Sequence, residues 1–417
     1  VDSSGNVIVG SKSQFTNRGG VYRSTNGGTS FTEVLDRYDD TGGSEFDRCA
    51  DIEMAADGKT FYASFGISSS DGIFKSTDSA KTWSMIYDAD DSSEQRIELV
   101  CAPSNKDYIY ALVQGSTSSI KKIMKSIDGG STWTICTTIS WSDQCSSAST
   151  DFTRSQAWYN LIGVCDPDDE KTLYVGGINI FRTDDTGTTW TQLSSWVGCG
   201  GWDEVHSDHH AFVFYPGSSD TLLNGNDGGV YITKNSQVSK PTWTAINNGF
   251  NVTQFYAGAI HPTALTNYFL TGSQDNGSQR FQNAGINITD EVTGGDGGFC
   301  HIDQEDPDTQ LTAYTYDYIR ISTDGFTTYS TNNVAKGNFI NASDYDSENK
   351  ILYSANDAGE IYRRAGIGGS ITATTIAISA MNSSQASAIL VSPHHPKTVF
   401  IGTEAGRVVK VSNANSG

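Results

Sequence analysis

The sequence predicts an all-β fold, and three observations support this. Helical periodicity is nearly absent along the 417 residues. The chain has 43 glycines but only 8 prolines, a composition that suits many tight turns between strands. A short turn sequence also recurs between short strands with alternating apolar residues. This recurrence defines the structural unit of the fold.

The recurring turn begins with Ser or Thr, has Asp or Asn at its third position and ends with an aromatic residue. Its five copies are STNGGTSF at 24–31, STDSAKTW at 76–83, SIDGGSTW at 126–133, TDDTGTTW at 183–190 and STDGFTTY at 322–329. A catalytic site is not expected five times in one chain. We therefore predict that the acidic residue accepts backbone hydrogen bonds within the turn, and that the glycines supply left-handed conformations.

Each turn lies inside a larger repeat of short strands. A strand such as GVYRS or GIFKS precedes the turn, another strand follows it, and a third such as KTLYVGG lies upstream. The repeat is roughly 45 to 50 residues long, which is the period of a propeller blade. We predict a β-propeller of four-stranded antiparallel blades, about eight in number, forming a single domain over residues 1–417, alone or as part of a longer secreted protein. Seven blades, nine blades or a split pair of propellers remain open.

Charge and cysteine content restrict the partners of the chain. The net charge is −21, which disfavours nucleic acid and anionic membrane surfaces, and no apolar run reaches the roughly 18 residues of a membrane span. The seven cysteines form no CxxC pair, so a zinc site built from cysteine is not expected. Cys136 and Cys145 are close enough in sequence to close a short disulfide loop. The low lysine content and abundant serine, threonine, glycine and asparagine favour a secreted or cell-surface location.

The repeat is interrupted between Trp196 and Asp303, where function is most expected. The segment GGWDEVHSDHHAF at 200–212 contains His206, Asp208, His209 and His210. On a strand, His206, Asp208 and His210 share one face, a spacing that suits metal ligands, acid–base groups or a structural pair.

Three further aspartates, Asp227, Asp275 and Asp296, lie beside or near a glycine at predicted strand ends. These carboxylates could converge on a central channel, or each could simply form an Asp-Gly turn.

The five turns resemble the Asp-box, or bacterial neuraminidase repeat, S-x-D-x-G-x-T-W, with departures at Asn26, Ala80 and Tyr329. The stretches HSDHHA, NDGGVY, NNGFNVTQFY, GSQDNGSQ and GGDGGF, in this order, resemble exported bacterial propellers described as glycosyl-hydrolase-like and related to xyloglucanase and sortilin-type propellers. The resemblance implies a β-propeller with its Asp-boxes at the blade periphery, and an extracellular location. It implies no particular reaction.

Two functional hypotheses follow. In the first, the chain is a non-catalytic extracellular propeller that binds a glycan or a protein, or that assembles with itself or into a larger surface complex. The candidate ligand-binding residues are His206, His209, His210, Asp275 and Trp202. Further aromatic rings that could stack on sugars are Trp141, Trp158 and Trp196.

In the second hypothesis the chain is a glycoside hydrolase, which requires two carboxylates at the scissile bond. Asp227 and Asp296 are the expected pair, with Asp208 as a third candidate. A sialidase fits less well, because the closest match to its FRIP signature is FRTD at 181–184. No cofactor is expected; a calcium site at DADDSSE, residues 88–94, is a weak alternative, and any other metal is unknown.

Overall fold

The structure is a computed structural model that describes residues 1–11, 19–36, 48–67, 72–89, 93–249, 253–285, 289–395 and 397–416. The chain divides into two compact units, Val1–Asn248 and Gly249–Gly417. All eight tryptophans lie in the first unit, so tryptophan fluorescence reports on that unit alone. Whether the chain forms the predicted single domain stays a prediction.

The described residues of the first unit form five sheets of three or four strands and one hairpin. The first sheet contains β1 (Val7–Ser11), β2 (Gly20–Ser24) and β3 (Thr32–Leu35). The second contains β4 (Cys49–Met54), β5 (Phe61–Phe65), β6 (Gly72–Ser76) and β7 (Ser84–Asp88). The third contains β8 (Glu94–Cys101), β9 (Ile109–Gly115), β10 (Ile120–Ser126) and β11 (Thr134–Ile135). The hairpin consists of β12 (Trp141–Asp143) and β13 (Ser147–Ser149).

Two more sheets complete the described part of this unit. One contains β14 (Ile162–Cys165), β15 (Leu173–Gly176), β16 (Ile180–Thr183) and β17 (Thr191–Gln192). The other contains β18 (His209–Phe214), β19 (Leu222–Asn226), β20 (Gly229–Thr233) and β21 (Trp243–Ala245).

The described residues of the second unit form four sheets. The first contains β22 (Ala257–Ile260), β23 (Phe269–Gly272), β24 (Ser278–Phe281) and β25 (Asp290–Thr293). The second contains β26 (Cys300–Ile302), β27 (Gln310–Ala313), β28 (Tyr318–Ser322) and β29 (Ser330–Asn333). The third contains β30 (Ser343–Asp346), β31 (Ile351–Ala355), β32 (Glu360–Ala365) and β33 (Thr372–Ala377). The fourth contains β34 (Ala386–Val391), β35 (Thr398–Thr403) and β36 (Val408–Ser412).

These sheets are antiparallel meanders, because each strand pairs with the next one in sequence. Within a unit, the first strands of consecutive sheets pack side by side, as β4 does with β8 and β14 with β18. This is the arrangement of propeller blades. The predicted all-β fold of four-stranded antiparallel blades is therefore confirmed. The described residues form nine blade-like sheets, seven of four strands and two of three, and nine is one of the blade numbers that the sequence left open.

The hydrophobic core lies between adjacent sheets. One cluster joins Tyr62 and Ile73 of the second sheet to Ile97 and Val113 of the third, all fully buried. Alternation along each strand directs these side chains toward the neighbouring sheet. Within the described ranges there is no α-helix and one 3-10 helix, Ser379–Met381. No helix in this part of the chain has the length and apolarity of a membrane span.

The five repeated turns share one hydrogen-bond pattern. In the third copy, the Ser126 hydroxyl donates to Asp128 Oδ1 at 2.8 Å and accepts the N–H of Gly130 at 2.8 Å. Asp128 accepts the backbone N–H of Thr132 at 2.9 Å and its hydroxyl at 2.7 Å. These hydrogen bonds, from Thr132 above all, lower the pKa of Asp128 to about 2. The acidic residue is thus occupied by the turn itself.

Two consecutive residues of every turn have positive φ. They are Gly129 and Gly130 in the third copy, at +69° and +85°, and Ser79 and Ala80 in the second, both at +60°. In the fifth copy the second position is Phe326, whose ring is buried with Leu270 and Cys300 of neighbouring strands. The departures from glycine therefore keep the left-handed conformation.

A sixth turn of this kind escaped the sequence comparison. The Thr233 hydroxyl donates to Asn235 Oδ1 at 2.9 Å, and the same oxygen accepts the N–H of Thr242 at 3.0 Å. Seven positions separate Asn235 from Thr242, whereas four separate Asp128 from Thr132. This insertion, together with Asn in place of Asp, hides the repeat in the sequence.

The expected pairing of Cys136 with Cys145 is wrong. Cys145 forms a disulfide with Cys199, and Cys136 is a free, buried thiol. The bond ties the β12–β13 hairpin to the loop that follows β17. Proximity in sequence was misleading, because Cys136 continues from β11 toward the neighbouring turn at Thr186 and Gly187.

Candidate functional site

A loop at residues 150–161, between β13 and β14, presents two aromatic rings to solvent; we call it the platform loop. The Asp151 carboxylate folds its beginning, since it accepts the N–H of Thr153 at 3.0 Å and that of Ser155 at 2.7 Å. Farther along, Trp158 is 57 % exposed and Tyr159 38 % exposed. Their ring centroids are 5.4 Å apart, so they form one continuous apolar surface.

Hydrogen bonds to Asp227 hold the inner edge of this surface. Asp227, which follows β19, accepts a hydrogen bond from the Tyr159 hydroxyl at 2.9 Å and lies 2.7 Å from His210 Nε2. The Tyr159 and His210 rings also meet edge to face, with centroids 4.6 Å apart. Tyr159 therefore contacts both His210 on β18 and Asp227 just after β19, which limits its rotation.

Asp208 lies beside this pair, with an oxygen within 4.8 Å of an Asp227 oxygen. It is 7 % exposed and accepts a hydrogen bond from Asn160 Nδ2 at 2.8 Å. Its φ is +62°, in the left-handed region, which is unfavourable for Asp. The strained backbone directs this carboxyl inward, toward Asn160.

The two carboxyl groups differ in acidity. Burial raises the pKa of Asp208, and the negative charge of Asp227 adds to this, against the Asn160 hydrogen bond. Burial also acts to raise the pKa of Asp227, but the hydrogen bonds from His210 and Tyr159 outweigh it and the pKa is lowered. Asp208 thus retains a proton more readily than Asp227 does.

The structure brings several predicted residues to this site. Asp208, His210 and Asp227 lie together, and His206 joins them through its charge interaction with both carboxyl groups. His206 Nδ1 is 3.1 Å from the Ser207 carbonyl oxygen.

His209 and Trp202 are placed differently. His209 is fully buried, and its Nδ1 is 2.9 Å from Asn224 Oδ1 in the core, so the side chain is out of reach of a ligand at the surface. The Trp202 ring lies under the Lys240 ammonium, 4.6 Å from its centroid, and the indole N–H donates to the Gln192 carbonyl oxygen at 3.0 Å. These hydrogen bonds of His209 and Trp202 go to Asn224 and Gln192, which lie outside the platform loop.

Asp275 and Asp296 belong to the second unit. The Asp275 N–H donates to Asp296 Oδ1 at 3.1 Å, and Asp275 has a φ of +61°. This hydrogen bond joins the loop between β23 and β24 to the loop between β25 and β26.

The remaining candidates are less available to a ligand. Trp141 is buried and packs edge to face on Phe181, with centroids 5.9 Å apart. Trp196 is covered by the Arg154 guanidinium, 5.1 Å from the ring centroid. In the suggested calcium segment, residues 90–92 lie outside the described residues, and Glu94 pairs with Lys122 at 2.5 Å.

Sequence reasoning missed Tyr159 and Asn160. The adjacent aromatic residues in AWYN at 157–160, outside the repeat, were the available signal. Their hydrogen-bond partners lie 68 and 48 positions away, respectively, which no local pattern encodes. As for metals, the carboxylates of Asp208 and Asp227 are close enough to share a small cation, whereas His210 Nε2 is already engaged by Asp227.

Comparison with known proteins gives structural neighbours of low similarity. No protein-family model matches the chain, and no curated protein does. The GH74 enzyme of Niastella koreensis is 16 % identical to this chain with a TM-score of 0.45, and the match covers 100 % of this chain and 67 % of the enzyme. The GH74 xyloglucanase of Xanthomonas campestris is 10 % identical with a TM-score of 0.44, and the match covers 99 % of this chain and 69 % of the xyloglucanase. YCF48 from Cyanidioschyzon merolae is 12 % identical with a TM-score of 0.30, over 87 % and 95 %. The functional argument therefore depends on the residues of this chain.

Proposed function

We propose that this chain is a secreted or cell-surface carbohydrate-binding β-propeller protein that holds a neutral glycan against Trp158 and Tyr159. The single observation that carries the proposal is the exposed aromatic pair, one ring of which is fixed by Asp227 and His210. Flat aromatic surfaces bind the apolar faces of sugar rings, and adjacent carboxylate and imidazole groups can bind their hydroxyls. The binding surface is largely formed before the ligand arrives.

The charges at the site support a neutral ligand. Asp227 is held in its ionised form, and Asp208 adds a second carboxyl group within 4.8 Å. The nearby cation, Arg96, is paired with Glu98 at 2.6 Å. A uronic acid or a sulfated sugar would be repelled by the ionised Asp227, in a chain whose net charge is −21.

Two features support the proposed location. The Cys145–Cys199 disulfide suits an oxidising compartment. The repeated turns have the hydrogen bonds expected of Asp-boxes. The propellers that this sequence resembles are exported proteins. Within this proposal, a second copy of the chain or an extracellular protein is an additional partner.

The proposal is tested by binding to soluble polysaccharides. Affinity electrophoresis and titration calorimetry would compare dextran, mixed-linkage β-glucan, mannan and xylan with polygalacturonate as the anionic member. We expect at least one neutral polymer to bind and polygalacturonate not to bind. Trp158→Ala should weaken the interaction by about tenfold, equivalent to about 1.4 kcal/mol.

Tyr215→Ala is the matched control. Tyr215 is 59 % exposed and follows β18 at the end opposite His210, so it offers a similar ring away from the platform. Its removal should leave affinity unchanged. The proposal fails if no polysaccharide binds, or if Tyr215→Ala weakens binding as much as Trp158→Ala.

A glycoside hydrolase is the second candidate, and the opposed acidities of Asp208 and Asp227 favour it. An acid that retains its proton beside an ionised carboxylate is the pairing used to cleave glycosidic bonds. Release of reducing ends from the same polysaccharides tests it. If hydrolysis is found and either Asp208→Asn or Asp227→Asn abolishes it, the non-catalytic proposal is replaced by the enzymatic one.

A further inference from the structure

The platform loop buries Phe152, Ala157 and Leu161 in the hydrophobic core, whereas Trp158 and Tyr159 lie outside it, so the position of these two rings depends on further contacts. Arg96 on β8 reaches the loop: Nη1 donates to the Trp158 carbonyl oxygen at 3.3 Å, and Nη2 to that of Leu161 at 3.2 Å. The same Nη2 pairs with Glu98 Oε2 at 2.6 Å. One planar guanidinium thus joins an inner strand of the third sheet to the segment that presents the aromatic rings.

Glu98 makes this anchor rigid. Its side chain is 11 % exposed and lies two residues from Arg96 on β8, where a register shift interrupts the pairing with β9. An acceptor oxygen held in this enclosed position fixes the guanidinium plane, because Arg presents its donors in a rigid fork. The two carbonyl oxygens of the loop then face donors whose positions are already set.

A second arginine holds the start of the loop. The Arg154 guanidinium lies over the Trp196 ring, and its Nε is 3.4 Å from Asp143 Oδ2. Asp143 also accepts the Trp196 indole N–H at 3.3 Å. The Cys145–Cys199 disulfide connects the two segments that supply Asp143 and Trp196.

From these contacts we propose that Arg96 and Arg154 are positioning residues for ligand binding: they hold Trp158 and Tyr159 in place without touching the ligand. The inference about affinity rests on the proposed function, whereas the inference about loop order does not. Arg96 acts on the segment 158–161 directly through backbone carbonyl groups, so the loss of its side chain should loosen that segment without changing the rings themselves.

The experiment measures loop order and affinity separately, on the whole chain. Loop order is read from amide hydrogen exchange at Tyr159 and Asn160, whose N–H groups donate to the Gln156 carbonyl oxygen at 2.8 and 3.0 Å. Arg96→Ala should accelerate exchange at both amides by about tenfold or more, since two charge-assisted hydrogen bonds are lost. Arg96→Lys should restore part of the protection, because one ammonium group cannot replace the fork.

Arg182→Ala is the matched control within the same unit. Arg182 also pairs with a carboxylate, Asp184, and donates to two backbone carbonyl oxygens, those of Ser236 and Val238. Its loss should lower global stability but leave the relative protection of Tyr159 and Asn160 unchanged. Unaltered exchange at these amides in Arg96→Ala, or an equal effect of Arg182→Ala, overturns the proposal.

Affinity is then measured for the neutral polysaccharide that binds best to the wild type. Arg96→Ala and Arg154→Ala should each weaken it by about fivefold to tenfold, comparable to the loss of one or two net hydrogen bonds. Unchanged affinity together with faster exchange would overturn the role in binding. If no polysaccharide binds to the wild type, the proposed function fails, and the exchange measurement still decides whether Arg96 orders the loop.

Discussion

Replacing Gly130 by alanine tests whether the repeated turns are structural. Gly130 has a φ of +85°, and a Cβ added there would overlap Cδ1 of Ile86 and lie 3.7 Å from Tyr62 Cε1. Gly28 occupies the same turn position in the first copy, with a φ of +87°, but its added Cβ would lie 3.9 Å from Phe31. The two substitutions therefore share the backbone strain and differ in packing.

The expected magnitudes follow from these two terms. The left-handed conformation costs about 1–2 kcal/mol for a residue with a Cβ, reduced by about 0.4–1 kcal/mol through the lower entropy of the unfolded chain. Overlap with Ile86 adds about 1–3 kcal/mol, because the fully buried Tyr62 leaves little room for its movement. We expect Gly28→Ala to destabilise the first unit by about 1 kcal/mol, and Gly130→Ala by about 3 kcal/mol.

Urea unfolding followed by tryptophan fluorescence measures this difference, since all eight tryptophans lie in the first unit. With a slope of about 3 kcal/mol per molar urea, the midpoint should fall by about 1 M for Gly130→Ala and about a third of that for Gly28→Ala. Ile86→Val removes the overlapping atom, so combining it with Gly130→Ala should recover about 1 kcal/mol or more. Equal effects of the two glycine substitutions, with no recovery, would refute this account of the turn.

Two further predictions concern pH. Burial, together with the negative charge of Asp51, raises the pKa of Glu98 to about 8. The folded chain therefore keeps a proton that the unfolded chain releases near pH 4.5. The free energy of unfolding consequently falls as pH rises from about 4.5 to about 8. Glu98→Gln should remove this decline, so that its free energy of unfolding relative to the wild type rises by about 2 kcal/mol between pH 5 and pH 9, measured by urea unfolding with fluorescence detection. If the stability of the variant and that of the wild type change in parallel with pH, the prediction is wrong. Complete burial lowers the pKa of His209 to about 3. The stabilisation that the folded chain gains from the neutral imidazole is therefore complete above about pH 6.5 and is lost as pH falls toward 3. In the same assay His209→Gln should flatten the profile between pH 6 and pH 4 by about 1.4 kcal/mol per pH unit, and an unchanged slope would show that His209 is not the titrating group.

The repeated turns were predictable because their chemistry is local. Ser126, Asp128 and Thr132 lie within seven residues, and every hydrogen bond among them is visible as a spacing in the sequence. The same locality explains the one miss: the turn from Thr233 to Thr242 keeps the bonds but lengthens the spacing. The disulfide was not predictable, since Cys145 meets Cys199 across 54 positions.

The candidate site was only partly predictable, for the opposite reason. His210 and Asp227 stood out by residue type and by their place outside the repeat, although their pairing depends on the register of β18 with β19. Tyr159 and Asn160 gave only the signal of adjacent aromatic residues outside the repeat, because a single tyrosine or asparagine in a polar loop is ordinary. Their roles depend on the long-range contacts with Asp227 and Asp208.

The contrast between the turns and the platform loop explains where recognition can reside on this scaffold. Each repeated turn satisfies its own carboxylate: Asp128 accepts three hydrogen bonds from within eight residues and has little capacity left for a ligand. Asp227 instead pairs with His210 of β18 and with Tyr159 of the platform loop, beside the exposed aromatic surface. A mutation in a turn should therefore change stability and leave ligand affinity intact, whereas a mutation at Asp227 or its partners should change affinity first.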